Sequence, residues 1–431
     1  MTKRPVIVVV LVVVLLAGLC GQGAATAAAP VTLNWYTAPQ KGGSFQEAAQ
    51  ACSQASGGRY KIRIQPLPAD ATQQRQQLVR RLAARDSTID LISMDVIWTA
   101  EFAEAGWVDA WPRQQADQIS QGVIPAVLQT GQYRGRMYGA PLDATSQLLW
   151  YRKDLVPNPP QTWEEMIRDA ESLPANQGAI EVQAARYEGF TVWFNSLLAS
   201  AGGSILDNQG KVALPSGPTD VALGVMKGVA TAKSADPSIS VNQEDQGRLA
   251  FQAGTAAFMV NCTFVYTACQ KEAPDIFRNL GIALWPRVDP NEPSHVTLGG
   301  FNIGVGSKGS HKALAFEAGQ CLVGSERQVS YAVKDGLPPV TEALYQDPRI
   351  REAYPYADLL VESIGAGSLR PKSPLYNDIS LGVQDALHPP SSINVSSALG
   401  GCGATSAMCS SRRGCYDTGR RTPAAGAVAG G

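Results

Sequence analysis

The strongest constraint on the fold is an alternation of strand and helix patterns in the first hundred residues. Residues 31–37 (VTLNWYT) read as a strand, residues 59–67 alternate apolar and polar side chains, and residues 90–95 (DLISMD) form a short apolar strand. Helical patterns fill both gaps, because a Ser-x-x-Glu capping box at 44–47 opens one helix and Asp70 can cap the next. A second capping box, Thr162-x-x-Glu165, opens a later helix. This order predicts an α/β fold, doubly wound around a mainly parallel sheet.

The ends of these strands predict where a ligand binds. Open α/β sheets bind ligands beyond the carboxyl ends of their strands. Those ends are followed here by residues 38–43, residues 66–69 and the turn at Asp95. Trp98 lies three residues beyond the last strand, so either core packing or a ligand contact accounts for it.

Charge and motif content argue against several classes of function. The chain has 431 residues, with 36 Lys plus Arg against 37 Asp plus Glu, and lacks the positive surplus that nucleic-acid binding requires. Its three histidines, His295, His311 and His388, are isolated from Cys and carboxylate clusters, which argues against a metal site. The chain has no G-x-S-x-G elbow, P-loop or dinucleotide-binding glycine motif. These observations argue against an enzyme and against a metal site, and the length predicts two domains.

Residues 1–29 have the three-part layout of a secretory signal peptide. Lys3 and Arg4 give a positive start, residues 6–16 form an apolar run, and small residues fill positions 24–29. No later run reaches the roughly 18 apolar residues that a membrane span needs. The mature protein is therefore expected to be exported.

Two processing sites remain open for this leader. The segment Ala17-Gly18-Leu19-Cys20 is similar to a bacterial lipobox, but it has Leu19 where lipoboxes have Gly, Ala or Ser. Cleavage before Cys20 would leave a lipid-anchored cysteine. Cleavage at residues 25–27 would instead release a free protein.

Export to an oxidising compartment permits disulfides among the remaining cysteines. Cys52 and Cys321 occupy similar positions on two predicted helices, and we expect them to pair. Cys262 and Cys269 would lie about 10.5 Å apart along the axis of a single helix, which is too far for a disulfide. They pair only if that segment is not a continuous helix.

The last segment, residues 396–431, does not continue the pattern of the chain. It has eight Gly, three Cys and four Arg, with no Lys, no Glu and no apolar periodicity. A segment read in a shifted frame or a disordered extension explains this composition, and a disulfide cluster within the tail is the alternative. We expect no function from it.

Five segments carry a resemblance to a known family: residues 90–111, GRMYGAP at 135–141, LWYRKDL at 149–155, PQTWEE at 160–165 and RLAFQAG at 248–254. Together they resemble bacterial extracytoplasmic solute-binding proteins that serve ABC importers of sugars. Within that superfamily, residues 31–395 are most similar to a mycobacterial trehalose-binding lipoprotein. The stretches DVIWTAEFAEAGW at 95–107 and VWFNSLLASAGGSIL at 192–206 are especially close.

The resemblance implies a two-lobed, periplasmic-binding-protein-like fold of type II, with no catalysis and no cofactor. Each lobe is expected to hold a mainly parallel sheet flanked by helices, and a hinge joins the lobes. The expected boundaries are residues 30–145 for the first part of the N-lobe, 146–290 for the C-lobe, 291–340 for the return to the N-lobe and 341–395 for the helices that complete the C-lobe.

The resemblance also implies ligand contacts from four residues, Asp95, Glu244, Gly300 and Arg370. Carboxylates accept paired hydrogen bonds from sugar hydroxyls, and arginine donates several in a fixed fork. These residue types therefore suit a polyhydroxylated ligand.

The chain departs from the family beside the expected pocket. Thr145 stands where the family has Asn, Lys41 where it has an acid, and Cys262 where it has a Trp after the Asn that corresponds to Asn261. The lost tryptophan removes a stacking surface. A different glycoside or weaker binding would follow from that loss.

The function implied is capture of a trehalose-like disaccharide between the lobes and its delivery to the permease subunits of an ABC importer. The expected protein is a monomer that contacts the membrane only through a lipid on Cys20, which the resemblance favours over the free form. A binding protein for another oligosaccharide, a glycerophosphodiester or a polyamine is the alternative. A secreted glycoside hydrolase, which needs two carboxylates flanking the scissile bond, is the enzymatic rival.

Overall fold

The structure, a computed structural model, describes residues 29–68 and 70–394. The predicted signal peptide up to residue 28, its lipidation site at Cys20 and the atypical tail therefore lie outside the described residues. The described residues form two α/β lobes, each built around its own sheet.

Twelve strands make up the described sheets. In chain order they are β1 Val31–Thr37, β2 Tyr60–Pro66, β3 Leu91–Asp95, β4 Val108–Asp109, β5 Gln132–Tyr133, β6 Arg136–Met137, β7 Ala140–Pro141, β8 Leu148–Arg152, β9 Ala179–Glu181, β10 Ala256–Asn261, β11 Leu280–Ala283 and β12 Phe301–Gly306.

Sixteen α-helices are described, together with 3-10 turns at Val96–Trp98, Ile239–Val241, Glu342–Gln346 and Pro390–Ser392. The α-helices are α1 Ser44–Ala55, α2 Ala71–Ala83, α3 Thr99–Glu104, α4 Arg113–Ile119, α5 Pro125–Thr130, α6 Trp163–Ser172, α7 Glu188–Ser200, α8 Ser216–Thr231, α9 Glu244–Gln252, α10 Phe264–Glu272, α11 Pro274–Phe277, α12 Lys312–Leu322, α13 Ser325–Asp335, α14 Pro348–Ala353, α15 Ala357–Gly365 and α16 Tyr376–Leu387.

The N-lobe sheet has the strand order β2-β1-β3-β12-β4, and β7 also pairs with β12. The three strands predicted from the first hundred residues are confirmed, and their pairs β1–β2 and β1–β3 are parallel. Strand β12 runs antiparallel to β3, β4 and β7. Strand β12 enters this sheet from the other lobe. It is not joined to β3 by a crossover helix, which is the connection that makes neighbouring strands parallel.

The C-lobe sheet has the order β11-β8-β10-β9. Strand β8 is antiparallel to both β10 and β11, and only the β10–β9 pair is parallel. The prediction of a mainly parallel sheet in each lobe was therefore wrong in this detail. Both sheets are mixed, because strands that arrive from another part of the chain need not keep the βαβ direction.

Helices cover both faces of each sheet. In the N-lobe one apolar cluster holds Leu33, Trp35 and Phe45 under α1 and α12, and a second holds Ile92 and Leu78 under α2 and α3. In the C-lobe α6, α7, α8 and α16 pack on one face, and α10 and α15 pack on the other. Each sheet is thus buried on both sides, as an α/β fold requires.

The predicted disulfide is confirmed. Cys52 on α1 is bonded to Cys321 on α12, and this bond joins two helices that cover the same face of the N-lobe sheet. Cys262 and Cys269 are free thiols. Cys269 lies within α10 and Cys262 precedes that helix.

Neither of the two predicted capping boxes is complete. At α6 the Thr162 hydroxyl accepts a hydrogen bond from the Glu165 amide at 3.1 Å, as predicted, but the Glu165 carboxylate accepts from the Gln161 amide at 2.8 Å and not from the Thr162 amide. At α1 the N-cap is Gly43, and the Ser44 hydroxyl has no hydrogen-bond partner among the described residues. The Asp335 carboxylate on α13 accepts a hydrogen bond from the Ser44 amide at 3.0 Å. A side chain far along the sequence therefore caps the start of α1 in place of Ser44.

Three segments, residues 142–147, 297–300 and 336–341, carry the chain between the lobes. Two of them run side by side, because Thr145 and Gly299 exchange backbone hydrogen bonds of 3.0 and 2.8 Å. The segment that leads into α16 lies beside them, with the Leu298 amide donating to the Ser368 carbonyl at 2.9 Å. We call these three segments, together with the adjacent residues 366–371, the crossing segments.

Candidate functional site

A cleft of about 840 Å³ lies between the two lobes. The N-lobe contributes the start of α2 and the end of β3, and the C-lobe contributes the starts of α7 and α9 and one face of α16. The crossing segments complete the wall. The polar side chains that line it include Asp70, Thr72, Arg75, Gln76, Asp95, Thr145, Gln147, Arg186, Tyr187, Glu188, Glu244, Cys262, Arg370, Asn377, Ser380 and Gln384.

Arg370 connects the two lobes through its charge. Its Nη1 lies 2.9 Å from Glu188 Oε1 at the start of α7, and its Nη2 lies 3.7 Å from Asp95 Oδ1 at the end of β3. Only 6 % of the Arg370 side chain is exposed, and Nη2 also donates to the Leu298 carbonyl at 3.2 Å. Burial raises the pKa of the Asp95 carboxyl, and the Arg370 charge opposes this shift.

Glu188 is fully occupied by partners of its own. Besides Arg370, its carboxylate accepts hydrogen bonds from the Tyr376 and Ser380 hydroxyls of α16. Its position at the first turn of α7 favours the negative charge, because a helix N-terminus carries a partial positive charge. This network holds α7, α16 and Arg370 together behind the cleft wall.

Gly300 lets two crossing segments approach each other closely. Its φ of 121° is in a region that favours glycine, and a Cβ there would lie 2.4 Å from the Asp143 carbonyl oxygen. The Asp143 carboxylate accepts from the Phe301 amide at 2.7 Å, and its second oxygen has no hydrogen-bond partner among the described residues. Burial raises the pKa of Asp143 to about 7, and the charge of Asp95 adds to this effect.

The C-lobe wall of the cleft contains Tyr187, Glu244 and Cys262. The Tyr187 hydroxyl is buried beside the Glu244 carboxylate and makes no hydrogen bond of normal geometry. Burial raises the pKa of the Glu244 carboxyl, and burial raises the pKa of the Cys262 thiol to about 12. Cys262 is therefore a neutral thiol at physiological pH and adds an uncharged surface to the wall.

A pair of carboxyl groups lies behind this wall. Glu181 at the end of β9 is 1 % exposed, and it shares the Asn242 amide with Asp236. Burial raises the pKa of Glu181 to about 8, and the nearby Asp236 charge adds to this effect. Asn242 is two residues before Glu244, so the pair supports the segment that leads into the cleft.

We expect Glu181→Gln to make the protein more stable at alkaline pH. The folded-state pKa lies above the ordinary value of 4.5, so ionising Glu181 costs stability progressively as the pH rises from about 4.5 to 8. A glutamine removes this cost, and the variant should exceed the wild type by about 4 kcal/mol at pH 9 and match it near pH 4. Urea unfolding at both pH values measures this difference. Glu164→Gln, at an exposed position of α6, should show no such pH dependence, and a pH-independent Glu181→Gln effect would contradict the expectation.

The structure brings five of the eight residues predicted from the sequence into the cleft wall. They are Asp95, Thr145, Glu244, Gly300 and Arg370. Asp95 was predicted from its position at the carboxyl end of a strand. Thr145, Gly300 and Arg370 lie on the crossing segments.

The other three lie elsewhere. Trp98 is 2 % exposed and stacks on Phe102 in the N-lobe core, with ring centres 5.8 Å apart. Lys41 is exposed and does not line the cleft, because its loop is held against α13 by Asp335. Asn261 is fully buried, and its amide donates to the Glu244 carbonyl at 2.9 Å. Asn261 therefore positions Glu244 and does not face the cleft.

Sequence reasoning missed Glu188 and its neighbours Arg186 and Tyr187 in the cleft wall. Glu188 is the first residue of α7. An acidic residue in the first turn of an apolar helix was the available signal. Its partner Arg370 is 182 residues away in sequence, so no local sequence pattern predicts the ion pair.

Two further properties bear on function. No helix within residues 29–68 and 70–394 combines the length and apolar character that a membrane crossing requires. Over the same residues, no group of three His, Cys, Asp or Glu side chains is placed to hold a metal ion.

A known protein family matches most of the described residues, including the cleft residues from Asp70 to Gly300. The family is described as bacterial extracellular solute-binding protein, and it matches residues 37–329. The chain belongs to this family. Members are binding proteins, so the prediction that the chain is not an enzyme is confirmed. The extracellular description agrees with the expected export.

Relatives and solved structures agree with this assignment. A probable ABC transporter-binding protein of Deinococcus radiodurans is 27% identical over 387 residues, covering 85% of this chain and 90% of the relative. Maltose-bound MalE3 of T. maritima superposes with a TM-score of 0.78 at 26% identity, covering 88% of this chain and 100% of that one. The sugar-binding protein MalE of Xanthomonas citri has a TM-score of 0.77 at 18% identity, with coverage of 90% and 100%. The two-lobed fold predicted from the sequence is thus confirmed.

Proposed function

We propose that this solute-binding protein captures a disaccharide-sized sugar between its lobes and delivers it to the permease of an ABC importer. The observation that carries the proposal is the cleft itself. Carboxylates, amides and hydroxyls of both lobes line a space of about 840 Å³, within the range of small-molecule sites. A ligand that contacts both lobes stabilises a closed form through rotation at the crossing segments.

The similar proteins support a sugar ligand and an importer. The Deinococcus relative is named as an ABC transporter-binding protein, and the T. maritima structure holds maltose. The sequence resemblance to the mycobacterial trehalose-binding lipoprotein LpqY makes trehalose the first ligand to test. It also supports lipidation at Cys20 and a monomer that docks on permease subunits.

The polar wall favours recognition by hydrogen bonds over ring stacking. Tyr187 is the only aromatic residue among the described residues that line the cleft. Trp98 is in the core, and Cys262 replaces the tryptophan that the resemblance would place here. Specificity therefore depends on Asp95, Glu244 and the amides of Gln147, Asn377 and Gln384.

Pairing of the arginines argues against the glycerophosphodiester alternative. Arg75 binds Glu101, with Nε 2.8 Å from Oε2, and Arg186 binds Asp385. Arg370 is held by Glu188. A phosphate would have to displace one of these carboxylates, so a neutral or positively charged ligand fits the cleft better.

Thermal unfolding with and without ligand tests the proposal. At a hundred times its dissociation constant, the correct sugar should stabilise the protein by about 2.7 kcal/mol, and calorimetry should give one site per chain. The panel contains trehalose, maltose, other disaccharides, a glycerophosphodiester and spermidine. Small-angle scattering should show a smaller radius of gyration in the bound form.

Two variants distinguish cleft binding from a general effect. Asp95→Asn removes a cleft charge and should weaken sugar binding at least tenfold, because hydrogen bonds to charged groups are the stronger ones. Asp117→Asn, at an exposed residue of α4, should leave binding unchanged. A shift with the glycerophosphodiester alone, or no shift with any sugar, would overturn the proposal.

A further inference from the structure

The positive charges in the cleft wall are already matched by carboxylates of the protein. Arg75, Arg186 and Arg370 are the only Lys or Arg residues among the described lining residues. Each forms an ion pair within the chain, to Glu101, Asp385 and Glu188 respectively. The cleft therefore offers no unpaired cation to a ligand.

Glu244 is in the opposite situation. Its carboxylate lines the cleft and forms no ion pair with any described residue. The group is half-buried at the first position of α9, and its backbone carbonyl is fixed by the Asn261 amide at 2.9 Å. Its neighbours in the wall are the Tyr187 hydroxyl and the Cys262 thiol, and neither carries a positive charge.

The position of Glu244 at a helix start opposes the effect of burial, which raises the pKa of its carboxyl. The N-terminus of α9 stabilises a carboxylate there through its partial positive charge. The buried Tyr187 hydroxyl beside it has no hydrogen-bond partner of normal geometry among the described residues. A carboxylate with a buried neutral hydroxyl beside it, and with no cation, thus faces this part of the cleft.

We propose that the preferred ligand is a glycoside that carries a protonated amino group, with Glu244 as the counter-ion. This inference rests on the proposed sugar-binding function and adds the chemical class of the sugar. An ammonium group both neutralises the carboxylate and donates three hydrogen bonds to its surroundings. A neutral hydroxyl donates one and leaves the charge unmatched, and charge-assisted hydrogen bonds are about twice as strong.

The overall charge of the wall points in the same direction. Asp70, Asp95, Glu188 and Glu244 line the cleft against three arginines, and the partners Glu101 and Asp385 add two further negative charges. This excess attracts a cation during encounter. The amides of Gln147, Asn377 and Gln384 suit the hydroxyls of a sugar, which a simple polyamine lacks.

Calorimetry on matched ligands tests the inference with the full chain. Trehalose, maltose and cellobiose are each compared as the parent sugar, as the 2-amino-2-deoxy derivative and as the N-acetylated amine. At least one amine should bind tenfold or more tightly than both its parent and its acetylated form. The acetylated form separates charge from size, since it retains the substituent and loses the charge.

Two neighbouring carboxylates supply the matched variants. Glu244→Gln should abolish the preference for the amine while the parent sugar still binds, which also shows that the variant is folded. Asp245→Asn should retain the preference, because Asp245 is 71% exposed and pairs with Arg248 at 3.0 Å.

Each contrary outcome is distinct. Parent sugars that bind as tightly as the amines would overturn the inference and leave the sugar-binding function intact, as would a preference that persists in Glu244→Gln. Spermidine binding more tightly than every amino sugar would assign the cleft to polyamines. Failure of every sugar, charged or neutral, would overturn the proposed function and this inference with it.

Discussion

Replacing Gly300 by alanine should destabilise the protein by about 3 kcal/mol and abolish measurable ligand binding. The φ of 121° strains any residue that has a Cβ, which costs of the order of 1 to 3 kcal/mol. The new methyl group would also lie 2.4 Å from the Asp143 carbonyl oxygen and 2.8 Å from Asp143 Oδ1. The crossing segments must separate to admit it, and the ligand contacts of both lobes depend on their spacing. Urea unfolding measures the first effect, and calorimetry with the sugar that stabilises the wild type in the thermal-unfolding panel measures the second.

Gly224→Ala is the matched control. Gly224 lies within α8, has an ordinary helical backbone, and a Cβ there would meet no atom within 4 Å. Alanine in a helix interior is favoured over glycine, so this variant should gain up to about 1 kcal/mol and bind ligand normally. Equal stability of Gly300→Ala and the wild type would show that the close approach of the two segments is not required.

Replacing Arg370 by methionine should cost about 3 to 5 kcal/mol of stability and weaken ligand binding at least a hundredfold. Asp95 and Glu188 would keep their charges in a largely buried site without the cation that both face. The same charge links an N-lobe strand to a C-lobe helix, so its loss also disturbs the alignment of the lobes. Chemical unfolding at pH 7 and calorimetry provide the measurements.

The pH dependence distinguishes this electrostatic effect from lost packing. Without Arg370, the pKa of the Asp95 carboxyl should rise further, because burial is then opposed by fewer favourable interactions. The folded state would hold a proton that the unfolded chain releases above about pH 4, so the destabilisation should increase from pH 4 to pH 7. Arg278→Met breaks an exposed pair with Asp275 and should cost less than about 1 kcal/mol at either pH. An equal loss for Arg370→Met at both pH values would indicate packing alone.

Local patterns predicted those features whose cause lies within a few residues of sequence. The strand at residues 31–37, the Asp70 cap of α2 and the Thr162 cap of α6 were all predicted and are all present. The position of Asp95 at a strand end predicted a place beside the ligand, and the structure places it in the cleft wall. In each case the periodicity, or a side chain and an amide three residues apart, is sufficient to determine the structure.

The features that were predicted wrongly depend on partners far along the chain. Ser44 does not cap α1, because Asp335, almost 300 residues away, binds that helix start instead. The same contact holds the loop of Lys41 away from the cleft. The antiparallel direction of β12 follows from its entry out of the C-lobe, and no residue within the strand encodes that direction.

The sequence by itself determined the α/β class, the first three strands with the two helices between them and, with the family resemblance, five of the residues that line the cleft. Only the tertiary structure decided that Trp98 is in the core, that Glu188 pairs with Arg370 and that Glu244 is left without a cation. Periodicity and capping act between neighbours in sequence, and they can be read from the chain. Ion pairing and burial depend on which distant segments meet, and that is settled only when the two lobes pack around the crossing segments.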